Sequence, residues 1–217
     1  MDTERELVAL FSQKSADLQM YDSINEMMSV LSLGTDVTTF DNRGYMMLKD
    51  LFNQQHDREV RIRYNEIQRR LERIARSSKL IIYCVIKGEL WALFEVAREY
   101  PFCHQESKIL PKLRGWGLSE TCYIGEQQPD TLVRGLWEEW KFPLQKSRLI
   151  YRPTDGERHH VHKSSVFPDF WTIESRFWAE LMISEAERDQ YFSGTNPSIK
   201  DGNVWVHHEW RRYRDIT

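Results

Sequence analysis

The sequence predicts an α+β (mixed α/β) protein in which a helical N-terminal part packs on a small sheet with helices. Three observations carry this. All eight tryptophans and all seven prolines lie after residue 90, and the first 78 residues contain neither. The front end shows helix-start signals and apolar residues at helical spacing. The remainder mixes β-branched runs with glycine and Asp-Gly turn signals. The division that follows is a helical region over 1–78 and a Trp-rich mixed α/β domain over 79–217.

Bulk properties narrow the function classes. A hydrophobic share of 41 % supports a sizeable core, and a charged share of 29 %, balanced in sign, argues against disorder. The formal net charge of −3 excludes a generally basic nucleic-acid binder, so any such contact needs a local patch. No 18-residue apolar run occurs, and the start, MDTERELVALFSQK, is charged from its second residue. No membrane partner is expected. Cys84, Cys103 and Cys122 are widely spaced and form no CxxC pair, which favours a reducing, cytoplasmic setting over a zinc ribbon.

Residues 3–20 are predicted helical, with Thr3 and Glu6 as a capping box. A second helix runs from Ser23 to Leu33, with Glu26 completing the box and Gly34 at its end. From Tyr45 to Arg76 a long helical pattern follows, with a break near 53–57. Val60, Tyr64, Ile67, Leu71 and Ile74 repeat at alternating spacings of four and three, a seam through which helix 58–78 would pair with another copy. Its arginines, Arg69 and Arg73 among them, read either as a phosphate-tracking face or as a solvated face laced by Glu–Arg pairs at i,i+4.

KLIIYCVI, from Lys79 to Ile86, is continuous and apolar and reads as a strand buried on both faces. ELWALFEVARE, from Glu89 to Glu99, reads as an amphipathic helix. Residues 102–118 read as a loop in which Cys103 and His104 form no evident site. ETCYIG, from Glu120 to Gly125, is a second strand, and a helix follows from Asp130 to Phe142. Pro129-Asp130 with Glu139-x-Lys141 imitates a PD…ExK nuclease pattern, but its helical period excludes that chemistry. SRLIYRP and ERHHVHKS flank Asp155-Gly156 as a hairpin, which places His160 and His162 on one face. Two imidazoles so spaced suit a metal, acid–base work, or plain solvation. Thr172 to Phe192 reads as a helix with a fresh start at Ser184 and Glu187. VWVHHEW is the last strand, and the end interleaves Trp210 and Tyr213 with Arg211 and Arg212, a pattern suited to unpaired bases.

Tyr123-Ile124-Gly125, with Arg134 nine residues beyond the glycine, resembles the second half of the GIY-YIG nuclease signature. The earlier tyrosine strand would be Ile81-Ile82-Tyr83, where the first glycine of that signature is isoleucine. The resemblance implies a metal-dependent phosphodiesterase or nuclease, a hydrolase acting on nucleic acid. It implies that Tyr83 or Tyr123 helps activate water, that Arg134 clamps the phosphate, and that Glu174, on a later helix, holds Mg²⁺. A histidine of the 159–162 group would assist. Two alternatives stand beside it: a non-catalytic Trp-rich protein that binds a ligand or partner, and a small-molecule enzyme built on the histidines.

Overall fold

Strands, not helices, occupy most of the chain between residues 58 and 120. A computed structural model describes residues 20–100, 108–151, 158–192, 197–201 and 204–215. They fall into two units.

The first unit comprises 20–77, 121–126 and 158–176. Its helices are α1 (Ile24–Leu31), α2 (Phe40–Arg43) and α3 (Leu48–Asp57). Ser23 caps α1 as its sequence predicts, accepting the Glu26 N–H at 3.2 Å. Strand β1 (Val60–Asn65) lies antiparallel to the first part of β2 (Arg70–Ile86), in register from Val60↔Ala75 to Asn65↔Arg70. Further along, β7 (Arg158–Lys163) lies antiparallel to the first part of β8 (Phe170–Ile183). Met27, Leu31, Phe40 and Leu51 from the helices bury against Ile62, Leu71, Phe167 and Phe170.

The second unit comprises 78–100, 108–120, 127–151, 177–192, 197–201 and 204–215. It adds β3 (Glu89–Tyr100), β4 (Lys108–Trp116), β5 (Leu118–Thr121), α4 (Gln128–Trp140), β6 (Ile150–Tyr151), α5 (Glu185–Tyr191), β9 (Ser198–Asp201) and β10 (Val204–Arg212). The strand order is β6-β8-β2-β3-β10-β9, with β4 on β3 and β5 on β2. Helix α4 turns Leu132, Leu136 and Trp140 toward Leu80, Ile82, Leu93, Leu118 and Leu181, all buried. The α5 start predicted at Ser184 and Glu187 is present, with reciprocal capping hydrogen bonds. Among the described residues no helix is long and apolar enough to cross a membrane.

Mixed α/β character is therefore present, but several expected helices are strands. Residues 58–76 form the β1–β2 hairpin, so no helix 58–78 exists to carry an oligomer seam. The reason is visible in Val60-Arg61-Ile62-Arg63-Tyr64: apolar and charged residues alternate with period two, and Ile67, counted as a seam residue, sits 95 % exposed in the turn. ELWALFEVARE is β3, paired on one side by β10 and on the other by β4. The helix expected from Thr172 begins only after β8. β6 and β7 each pair with β8 rather than with each other. The helix expected over 3–20 and the Cys103-His104 pair lie outside the described residues, Met20 excepted.

On β10, His208 is 2 % exposed, and its Nε2–H donates to the Gly117 carbonyl at 3.0 Å. Its Nδ1 is buried and has no partner among the described residues. Burial is the main cause that pushes its pKa down to about 4. Protonation therefore favours the unfolded chain, whose histidine titrates near 6.5. Stability is predicted to be unaffected by this group above about pH 6.5 and to fall by about 3 kcal/mol as the pH drops toward 4. Urea midpoints at pH 7, 5.5 and 4.5 measure this, and His208→Gln should flatten the decline.

Candidate functional site

The residues proposed from sequence are divided between the units. Tyr123, His160, His162 and Glu174 belong to the first, and Tyr83 and Arg134 to the second.

Tyr123-Ile124-Gly125 is a turn, not the end of a strand, because β5 stops at Thr121. Gly125 has φ 77, a left-handed conformation that favours glycine. Its N–H donates to Glu59 Oε1 at 3.3 Å. The Arg58 guanidinium lies over the Tyr123 ring, 4.1 Å from its centroid. Tyr83 is a buried residue of β2 whose hydroxyl donates to Glu180 Oε1 at 3.3 Å.

Glu174 lies on strand β8, not on the helix that the nuclease resemblance requires. It is 8 % exposed, and its Oε2 accepts from Arg176 Nε at 2.6 Å. His160 is its register partner on β7. His162 Nε2 is 3.7 Å from Glu174 Oε2 and accepts from Arg176 Nη2 at 3.3 Å, while its Nδ1 donates to the Lys163 carbonyl. Burial lowers the pKa of Arg73, and the Glu174 charge opposes that effect. The strand pairing thus gathers His160, His162 and Glu174, but among guanidinium groups. A carboxylate so supplied with cations does not suit Mg²⁺. Among the described residues no group of three or more His, Cys, Asp or Glu could hold a metal ion.

The four arginines proposed for nucleic acid have different settings. Arg69 is exposed in the β1–β2 turn at φ 48. Arg73 donates to Gln54 Oε1 through Nε and Nη2 at 3.1 and 3.0 Å. Arg211 pairs with Glu209 at 2.9 Å, and Arg212 with Glu89 at 2.9 Å. Among the described residues the tryptophans do not gather into a ligand cavity: Trp140 and Trp210 are core, Trp91 and Trp178 pack against core clusters, and Trp137 and Trp205 are exposed.

The arrangement most suited to chemistry is on α4. Pro129 lies in its first turn, and Lys141 ends it at φ 57, donating its N–H back to Leu136 and Trp137. Arg134 is present on this helix, as the sequence predicts. Its Nη1 contacts two carboxylates, Glu138 Oε2 at 2.8 Å and Glu120 Oε2 at 3.5 Å. Glu138 sits one helical turn on, and Glu120 comes from β5. Glu120 and Arg134 side chains are 10 and 15 % exposed, whereas Glu138 is 47 % exposed. Two carboxylates thus meet on one guanidinium. Gly135 admits this geometry: a Cβ there would meet Glu120 Cγ at 2.6 Å and Leu118 Cδ2 at 3.1 Å. Sequence reading missed Glu120 and Glu138. The i,i+4 spacing of Arg134 and Glu138 was a usable signal, but nothing local linked Glu120 to the helix.

No protein-family model matches the chain, and no curated protein matches it. Among solved structures, a C. elegans Ap4A hydrolase is 15 % identical, with 65 % of this chain and 83 % of that one covered at a TM-score of 0.35. The NUDIX domain of Shewanella oneidensis NrtR complexed with ADP ribose is 11 % identical, with 65 and 75 % covered at 0.33. A T. brucei MERS1–RNA complex is 13 % identical, with 50 and 34 % covered at 0.29. At these scores the likenesses carry no argument about this chain.

Gly135→Ala is predicted to destabilise the protein by about 1–3 kcal/mol through overpacking. The cost should shrink when Glu120→Ala removes the obstructing side chain, a coupling that a double-mutant cycle in urea measures.

Proposed function

We propose that the chain is a divalent-cation-dependent hydrolase of nucleotide-like phosphate substrates, and that its acidic group is Glu120 and Glu138. The carrying observation is the pair of carboxylates that meet on Arg134 beside Gly135. Mg²⁺ commonly takes only one or two protein carboxylates and completes its shell with water and phosphate oxygens, and half-exposed Glu138 is the donor open to it here. When bound, such an ion would neutralise phosphate charge and activate water.

The chain's own contribution is positional. Arg134 ties a carboxylate on β5 to one on α4. Its guanidinium is engaged by carboxylates, so its role here is to orient them, in place of the phosphate clamp that the GIY-YIG resemblance assigns. Glu138, the more exposed of the two, is the group that solvent and substrate reach. Cleavage of nucleic acid, the finer reading that the resemblance implies, assigns water activation to Tyr83 or Tyr123 and the metal to Glu174 in place of this pair.

Phosphate release from ATP and ADP-ribose, and nicking of single-stranded RNA and DNA, should be followed with Mg²⁺ or Mn²⁺ and with chelator. Metal-dependent turnover is expected with at least one substrate. Arg134→Gln should lower it by about 10- to 100-fold, and Glu138→Gln by at least as much. Tyr123→Phe should leave it within about twofold, whereas the GIY-YIG roles require a large loss. Absence of turnover with every substrate, or full activity in a Glu120→Gln/Glu138→Gln double variant, would overturn the proposal.

A further inference from the structure

The β1–β2 hairpin holds the converse of the α4 arrangement. Its register sets Arg63 opposite Glu72 and Asn65 opposite Arg70, so all four share one face. Glu72 is completely buried. Its Oε2 accepts from Arg63 Nε at 2.8 Å, and Arg63 Nη2 lies in ion-pair contact at 2.8 Å. Its Oε1 accepts from Arg70 Nε at 2.8 Å and from Asn65 Nδ2 at 3.1 Å. One carboxylate thus fixes two guanidinium groups. Arg63 Nη1 and both Nη atoms of Arg70 have no protein partner among the described residues, and the two side chains are 37 and 19 % exposed.

A third cation joins them. The Arg70 guanidinium lies 4.6 Å from the centroid of Trp171, and Lys163 Nζ lies 5.9 Å from the same centroid. Lys163 is exposed and is the register partner of Trp171. One guanidinium would suffice to neutralise Glu72. Here two guanidinium groups meet that carboxylate, with Lys163 beside the same tryptophan, and N–H donors of both arginines face solvent. A structural ion pair needs no such excess. A phosphate oxyanion matches it, because guanidinium forks bind phosphate bidentately and a fixed fork loses little freedom on binding.

We propose that Arg63, Arg70 and Lys163, organised by Glu72 and Trp171, form a binding site for a phosphate group. The group is either the terminal phosphate of a small molecule or the phosphodiester of a single-stranded nucleic acid. This site does not depend on the hydrolase reading, so it is tested without divalent cations.

The full chain in EDTA should be titrated with pyrophosphate by calorimetry and with a fluorescent oligouridylate by anisotropy, each at several salt concentrations. Saturable binding of at least one probe is expected. Oligonucleotide binding with a steep salt slope assigns the site to a backbone, and pyrophosphate binding alone assigns it to free phosphate groups. Arg70→Gln should weaken binding by at least about tenfold. That variant removes a partner of buried Glu72 and can cost folding stability, so Lys163→Gln, which touches no carboxylate, is the second probe. It should weaken binding severalfold and, for the oligonucleotide, lower the log–log salt slope by about 0.7. No binding of either probe at millimolar concentration, or unchanged affinity in folded Lys163→Gln and Arg70→Gln, would overturn the site.

Discussion

Strand β2 sets the terms for the surrounding architecture. Its seventeen residues, Arg70–Ile86, are almost all buried or half-buried. A buried extended chain must hydrogen-bond along both edges or leave backbone N–H and C=O groups unpaired. β1 pairs with residues 70–75, β3 with residues 83–86, and β5 and β8 also neighbour the strand. Once those registers are fixed, side-chain alternation decides what meets. Leu80, Ile82 and Cys84 enter one apolar cluster, and Ile81 and Tyr83 enter another. Arg70 and Glu72 face the same side near the start of the strand, which is why a carboxylate there can gather guanidinium groups from two strands.

Local signals were legible where local physics decides. The capping residues Ser23 and Ser184 mark real helix starts, the helix carrying Arg134 lies within two residues of its expected start, and within KLIIYCVI residues 80–84 are buried on both faces while Val85 is exposed. The misread stretches are those in which residue type and tertiary pairing disagree. Arginine, glutamate and leucine favour helices weakly, and the run 58–76 is rich in them. Its Glu–Arg pairs also suit i,i+4 spacing. In the hairpin the same charges find other partners: Glu59 meets Arg76 at 2.8 Å across the strands, and Glu72 meets Arg63 and Arg70. ELWALFEVARE was misread for a related reason. An internal strand buries residues at both parities, and its apolar positions then mimic a helical stripe.

The same limit applies to the candidate sites. Arg134 and the histidine strand could be singled out because each carries a local pattern. Glu120 could not, because it meets Arg134 only after β5 and α4 approach as closely as Gly135 permits. Glu72 was visible as a charge but not as a hub, since its partners lie at positions 63, 65 and 70 of a turn that the helical reading had straightened.

The two ionic clusters differ in stoichiometry, and the two proposals rest on this difference. On α4 one guanidinium serves two carboxylates. On the β1–β2 hairpin one carboxylate serves two guanidinium groups with a lysine beside them, and the remainder is positive. The shared ions Arg134 and Glu72 are 15 and 1 % exposed, and Glu138 and Arg63 are the partners most open to solvent, at 47 and 37 %. A closed ion pair would satisfy itself and leave no field for a ligand. An unequal one holds its surplus charge in fixed geometry, because the buried partner has already ordered the side chains that carry it. Under the two proposals, which ion is shared, not the number of charged residues, separates a site for a cation from a site for a phosphate.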